Sequence, residues 1–525
     1  MSVGRQYLVG VDLGTSATKA ALYTTDGTLV AESLAEVPIY YPRPGVVEQE
    51  NDDFYRTAAQ TVRECLDASG VDPRQVAAIA FDSQMAGVGA IDEDFKPATR
   101  FDSWLDMRCQ PYIDYLNQHH AALVTELTGC PPTCDHGPKI LWWKEECSAD
   151  YARTAKFLMP SGYVAGKMAG LRAEQAFIDY TFIHFSGLSD ARQGTWSAQL
   201  CGLLGVDMGK LPTIVEPWRA IGEVTDAAAR DFGLAPGTLV AAGCGDTAAG
   251  ALGAGIVRSG MLFDTAGTAA VLAGCTDTFV TDVKHGALLT MRSVIPGLWN
   301  PLAYIAGGGQ ALRWFRDQFF NVFQGSLQSG AAESYTEMLR LAADVPPGAD
   351  GLTFSPHLGD RICPAAPEMR GALLGFSWGH TQAHFLRAIL ESVAFEYAYY
   401  LGILREAIPH LTLSEARVIG GGARSDLWND IKANVLGVPY QRLQRSEFGT
   451  WGSAMIAGKA AGIYDDLAEV AAQHAQPLGA PVRPQPDTYA AYQMLAARYI
   501  DIEARLCDTF RAMAQQEQAP AGINA

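Results

Sequence analysis

No uncharged apolar run in the 525 residues reaches the length of about 18 at which a membrane-spanning helix is expected. The opening, MSVGRQYLVG, lacks the apolar core and small-residue cleavage site of a secretory leader, so a cytoplasmic chain with no membrane partner is expected. Cations are scarce: 39 Lys and Arg stand against 57 Asp and Glu, for a formal net charge of -18. Nucleic-acid binders neutralise phosphates with a basic face, so no nucleic-acid partner is expected. A polyanionic ligand would have to be met by backbone N–H groups, a few placed cations or a metal. Cysteine is thinly spread, ten residues without the dense spacing of a disulfide framework. Cys130, Cys134 and His136 share one short stretch, but a zinc site wants four ligands at familiar spacings. Reduced structural thiols are expected, with metal binding there left open.

What is present is a well-packed composition, 48% apolar and 18% charged. The length implies two or more domains at about 100 to 200 residues each. Residues 7–10, 18–23 and 28–33 predict three strands, with Asp26-Gly27 as a hairpin turn. A helix near 52–68 and an apolar strand at 76–81 follow, which is the alternation of an α/β fold. Far downstream, GMLFDTAGTAAVLAG at 260–274 repeats the opening weakly. Asp264, Gly267 and Thr268 sit between apolar runs much as Asp12, Gly14 and Thr15 do. A duplicated architecture is expected, with domains at 1–258 and 259–525 and one polar turn from each facing a common cleft. The tail at 513–525 has few large apolar residues and is expected to be loosely held.

Three constellations carry chemistry. Asp12, at the end of a strand, can project a carboxylate into a cleft, while Gly14 admits a ligand and Thr15 and Ser16 offer donors. A plain β-turn with Asp12 as its local acceptor is the alternative. Asp246 follows Gly-Cys-Gly where a strand passes into a small-residue helix, so it reads either as an N-cap or as a general base for a hydroxyl. Gly420, Gly421 and Gly422 let a nucleotide lie against backbone, or simply make a tight packing turn. A dinucleotide fold is discounted, because Ser425 replaces the third glycine and VPYQRL ends without the ribose-binding acid.

With these residues in hand, the sequence resembles the FGGY carbohydrate kinases, and among them the xylulokinase-like pentulose kinases. GALLGFSWGHTQAHFLRAILES follows the downstream signature, with Gly371, Gly375, Phe376, His384, Phe385, Ala388 and Glu391 at its intervals. GPKILWWKEE is similar to the upstream one through Lys139, Trp143 and Glu145, although His136 stands where Pro, Ser or Thr is usual. The resemblance implies two ribonuclease-H-like domains of the actin and sugar-kinase superfamily with a catalytic cleft between them. It implies ATP and Mg2+ as cofactors, with Asp12 near the metal through water. Asp12, Gly14, Thr15 and Ser16 would meet the phosphates at one turn, Gly267 and Thr268 at the other. Gly421, Gly422 and Ala423 would lie at the adenosine, and EFGTWGSAMIAG resembles the helix adjoining it. Asp246 would be the catalytic base.

The same resemblance places the sugar against Gln84, Met85, Trp104, Asp106 and Arg108, together with Asp246. Ala86 and Leu105 stand where the family has His and Asn, so two partners for sugar hydroxyls are missing and D-xylulose is in doubt. Asp106 and Arg108 have a plainer alternative as a mutual ion pair shaping a loop. The expected reaction is ATP-dependent phosphorylation of a small sugar, most simply a ketopentose, with another ketose or a sugar alcohol as the alternative. An actin-like or chaperone-like ATPase and a non-catalytic sugar sensor are the readings from other classes. A homodimer is allowed for, without a sequence feature that requires one.

Overall fold

The computed structural model describes residues 6–267, 269–320 and 331–518. The chain opens on an antiparallel meander of β1 (Tyr7–Leu13), β2 (Ala17–Thr24) and β3 (Leu29–Glu36). β1 runs past its predicted end at Gly10 through Leu13, because Gly10 and Asp12 keep their pairing with Ala21 and Lys19. Polarity in a side chain does not stop a strand whose backbone bonds continue. α1 (Asn51–Ser69) buries Phe54, Ala58, Val62 and Leu66, one stripe at helical spacing, and Gly70 ends it with φ of 66°. The following strand, Val76–Ser83, is buried at every position and lies parallel to β1, as its unbroken apolar run requires. With Leu239–Ala241, Ala220–Glu223 and Cys244–Gly245 these make a seven-stranded sheet.

The second half repeats the plan in a six-stranded sheet. Met261–Ala266 pairs antiparallel with Ala270–Gly274, which pairs with Trp299–Ile305, while Glu415–Ile419 and Tyr440–Arg442 add parallel strands. The echo of Asp12 at Asp264 is not a second cleft carboxylate. Asp12 stands two residues before its glycine and Asp264 three before Gly267, and in a strand one residue of slip turns a side chain to the other face. Asp264 is accordingly buried, holding Lys432 Nζ at 2.7 Å and accepting from the Tyr397 hydroxyl at 2.8 Å.

The sheets divide near residue 258, but the packing does not. Helix Gly449–Ala460, late in the chain, lies on β1 and against helix Asp246–Gly253. A Cβ at Gly10 would stand 1.8 Å from the Thr450 carbonyl oxygen, and one at Gly452 2.1 Å from that of Ala249. Thr450 meets the Tyr23 hydroxyl at 2.8 Å, and Trp451 is wholly buried beside that ring. The larger apolar core therefore runs without a break from Leu8 and Ala78 through Ala249 to Leu262 and Trp451. Residues 513–518, expected to be loose, continue the long helix Pro486–Gln518. Among the described residues no helix is long and apolar enough to cross a membrane.

Candidate active site

Strand register gathers three carboxylates. Asp12 in β1 pairs with Asp82, Asp82 pairs on its other side with Cys244, and Ser83 pairs with Gly245. Asp246 is the next residue along, at the same edge of the sheet. Gly245, not Asp246, is the N-cap of helix Asp246–Gly253. Asp246 Oδ1 instead accepts from the Thr247 N–H at 2.5 Å and the Thr247 hydroxyl at 3.1 Å. Burial, and then the charge of Asp12, push its carboxyl up to about 7, which suits a base working near neutral pH better than an ordinary aspartate would.

Asp12 is pushed up to about 6 by burial, against the pull of Asp82 as a hydrogen-bonding neighbour and of Lys19. Lys19 Nζ is itself paired with Glu447 at 2.9 Å, so this lysine ties the two halves together. Burial and the neighbouring Asp12 hold the Asp82 carboxyl well above its ordinary range. Asp82 was not among the residues singled out from sequence. Its signal was available: like Asp12, it is a carboxylate at the end of an otherwise apolar buried strand. Oδ1 of Asp12 and Oδ1 of Asp82 are buried and meet no N–H or hydroxyl donor. That orphaned oxygen on Asp12 fits a cation, whose charge would replace the missing donors.

The Gly14 turn closes with its N–H on the Ala17 carbonyl at 3.1 Å, and a Cβ there would stand 2.9 Å from that oxygen. Ser16 is exposed at the tip. The Thr15 hydroxyl accepts from Trp104 Nε1 at 2.9 Å and stands 3.5 Å from Gln84 Oε1. Gln84 Nε2 donates to Gln49 Oε1 at 2.8 Å, and Gln49 Nε2 to the Thr15 carbonyl at 2.9 Å. Thr15, Gln49, Gln84 and Trp104 thus form one hydrogen-bonded group beside Asp12. Trp104 meets Tyr304 of the second half edge to face at 6.2 Å, so the turn lies where the two halves face each other. Met85 fills the space under Gly245, where a Cβ would come 2.6 Å from its methyl.

Asp106 and Arg108, expected at the sugar, form in the structure the mutual ion pair that was their plainer alternative. Asp106 is 0% exposed, and its oxygens are spent on the Val47 N–H at 2.7 Å and on Arg108 Nη2 at 2.7 Å and Nε at 2.9 Å. Arg108 also holds Glu48 at 2.7 Å and lies over the Trp142 ring. Their charges neutralise each other, which shapes the loop that presents Trp104. Cys130, Cys134 and His136 do not form a metal-type donor group among the described residues. The group that does form is His357, Glu396 and Glu503, and all ten cysteines are free.

The second half carries a cavity of about 620 Å³, within the range of small-molecule sites. Gly267, Gly421 and Gly422 line it, together with Gln310, Arg313, Tyr335, Leu386 and Trp428, which arrive from distant helices and were missed in sequence. Gly420 takes φ of 84°, Gly421–Arg424 make a single turn, and Ser425 caps helix Asp426–Leu436 through the Trp428 N–H at 3.1 Å. Ala423 is buried behind that turn. Thr268 lies outside the described residues. No residue of the helix Gly449–Ala460 is among those lining this cavity; its first residue stands at Asp12 and Asp82.

The N-terminal-domain model of the FGGY family of carbohydrate kinases matches residues 7–253, and the C-terminal-domain model matches 263–461. A xylulose kinase of Bacillus subtilis is 28% identical over 89% of this chain and 91% of its own length. A glycerol kinase of Dechloromonas aromatica is 29% identical over the same shares, 89% and 91%. The crystal structure of a ligand-bound xylulose kinase from Lactobacillus acidophilus superposes with a TM-score of 0.88 at 23% identity, covering 97% of this chain and 99% of that one.

Proposed function

Because this chain belongs to the FGGY family of carbohydrate kinases and is an ATP-dependent sugar kinase, we propose that it phosphorylates a hydroxyl of a ketopentose of the xylulose or ribulose type, with Asp246 as general base. The observation that carries this reading is the register that sets Asp246 beside Asp12 at one sheet edge, with a Thr247-held Oδ1 and a carboxyl pushed up to about 7. A carboxylate so placed takes the acceptor's proton as its oxygen closes on phosphorus. A cytoplasmic location and a small soluble acceptor belong to the same reading.

The nucleotide's base and ribose occupy the cavity between Gly267 and the Gly421–Gly422 turn, where the missing side chains allow contact with backbone. Its phosphates extend toward the turn at Gly14, Thr15 and Ser16, where Gly14, its N–H bonded to the Ala17 carbonyl, leaves room for approach and Thr15 and Ser16 supply the donors. Asp12, through its unpaired Oδ1, would hold Mg2+, which when bound supplies positive charge to the phosphates that this acidic chain lacks. Trp104 and Gln84, locked through Thr15 and Gln49, form the wall against which the sugar is oriented. Facing halves exclude water, the competing acceptor. The relatives include a glycerol kinase as well as xylulose kinases, and Ala86 and Leu105 withdraw polar partners, so another ketose or a sugar alcohol is the second acceptor class.

Coupled ADP release over D- and L-pentuloses, hexuloses and polyols tests the reading. A pentulose should give the highest kcat/KM. Release indifferent to every sugar would instead favour an ATPase, and no release at all a sensor. Gly422→Val tests the nucleotide pocket: an added Cβ would stand 2.6 Å from the Trp428 ring and 2.8 Å from the Ala266 Cβ. Its KM for ATP should rise by at least about tenfold, the effect of roughly 1.4 kcal/mol of lost binding, while KM for the sugar stays within about twofold. Equal KM values for ATP would move the nucleotide elsewhere.

A further inference from the structure

Asp82 has no role in the reading above, yet it is the most deeply enclosed member of the carboxylate group, at 0% exposed. One of its oxygens is accounted for: Oδ2 accepts from the Ser453 hydroxyl at 2.6 Å, a donor brought from the far end of the chain by helix Gly449–Ala460. That bond fixes the carboxylate's rotation and leaves Oδ1 on the other side. Oδ1 is buried without a donor, as is Asp12 Oδ1 on the neighbouring strand. Two adjacent carboxylates, each with a buried and unmet oxygen, are costly unless a positive charge joins them. The nearest cation, Lys19, is already engaged by Glu447.

Space for that charge is present. Residue 449 has no side chain, and a Cβ built there would lie 3.6 Å from Asp12 Oδ2 and 3.6 Å from Asp82 Oδ1. Asp12 through Oδ2 and Asp82 through its unmet Oδ1 therefore front one small gap floored by glycine, with Asp12 Oδ1 on the side toward Gly14, at the end of the strands that lead into the Gly14 turn and Asp246. Hard divalent cations take oxygen ligands, and magnesium is commonly held by one or two carboxylates with the remainder from water and phosphate. A shared proton is the competing way to settle such a pair.

We infer that Asp82 is a second protein ligand for the divalent cation of this site, so that Asp12 and Asp82 form a two-carboxylate seat whose geometry Ser453 sets. The inference rests on the kinase reading only for the purpose of the cation. The seat itself exists with or without a sugar acceptor. Asp246 stays outside it, as the group that faces the hydroxyl.

Titration of the metal-free full chain with Mn2+ alone, followed by calorimetry and by the loss of free-ion electron paramagnetic resonance signal, tests the seat without turnover. Asp82→Asn introduces a hydrogen-bond donor toward Asp12 and removes the charged ligand, and should weaken Mn2+ binding at least tenfold. Ser453→Ala keeps both carboxylates and frees one, and should weaken it two- to fivefold. Binding of metal-free ADP should stay within twofold in both. Mn2+ affinity in Asp82→Asn within twofold of wild type overturns the inference and leaves the shared proton. If that variant does not fold, unchanged affinity in Ser453→Ala overturns it. Weakened Mn2+ binding in a chain that phosphorylates no sugar would keep the seat and remove the kinase acceptor. Normal phosphorylation with unchanged Mn2+ binding would do the reverse.

Discussion

Asp246→Ala is expected to lower sugar-dependent ADP release by about 10²- to 10⁴-fold, the usual contribution of a positioned general base. Binding of ATP, measured by calorimetry, should change by less than about threefold, because the cavity proposed for the nucleotide lies in the other half and Asp246 is not among its lining residues. The fold should survive, since Gly245 rather than Asp246 caps the helix and the bonds lost are those from the adjacent Thr247. Asp246→Asn should be nearly as inactive, because an amide of the same shape cannot accept the proton. Turnover within threefold of wild type in either variant removes the base assignment, whatever happens to nucleotide affinity.

The second large effect concerns stability. Lys432 and Asp264 are both 0% exposed and 2.7 Å apart, and Tyr397 also donates to the carboxylate at 2.8 Å. Lys432→Met strands a carboxylate inside the second sheet, which costs about 3 to 5 kcal/mol when a buried pair is broken from one side. In a half of this size that is a fall in melting temperature of roughly 6 to 20 °C, taking about 2 to 4 °C per kcal/mol. Combining Lys432→Met with Asp264→Leu should restore most of the loss, because an apolar pair of similar volume is often as stable as the ions it replaces. A single variant that melts within about 2 °C of wild type, on the same scale, would show that Asp264 finds another partner or a proton.

The outcome for Asp264 also shows how far local pattern reaches. Asp12 and Asp264 look alike in sequence because each interrupts an apolar strand shortly before Gly-Thr. Counting residues to the glycine already separates them, since a difference of one reverses the face. What the count does not supply is the partner, Lys432, which arrives from a helix 168 positions away. Asp106 and Arg108 taught the same lesson from the other direction. Their mutual pairing was foreseeable at a spacing of two residues, but the enclosure that removes both from solvent comes from Val47, Glu48 and Trp142.

From sequence alone came the α/β class, the duplication, the Gly14 and Gly421–Gly422 turns and Asp246, because each depends on residues within one strand, turn or helix start. Tertiary structure decided that Asp82 joins Asp12, that Ser453 orients it, and that helix Gly449–Ala460 packs on the first half rather than lining the cavity of the second. Those relations are set by strand register and by close backbone approach between segments hundreds of residues apart. Side-chain periodicity tells which face a residue occupies; only the folded backbone tells what is waiting on the other side.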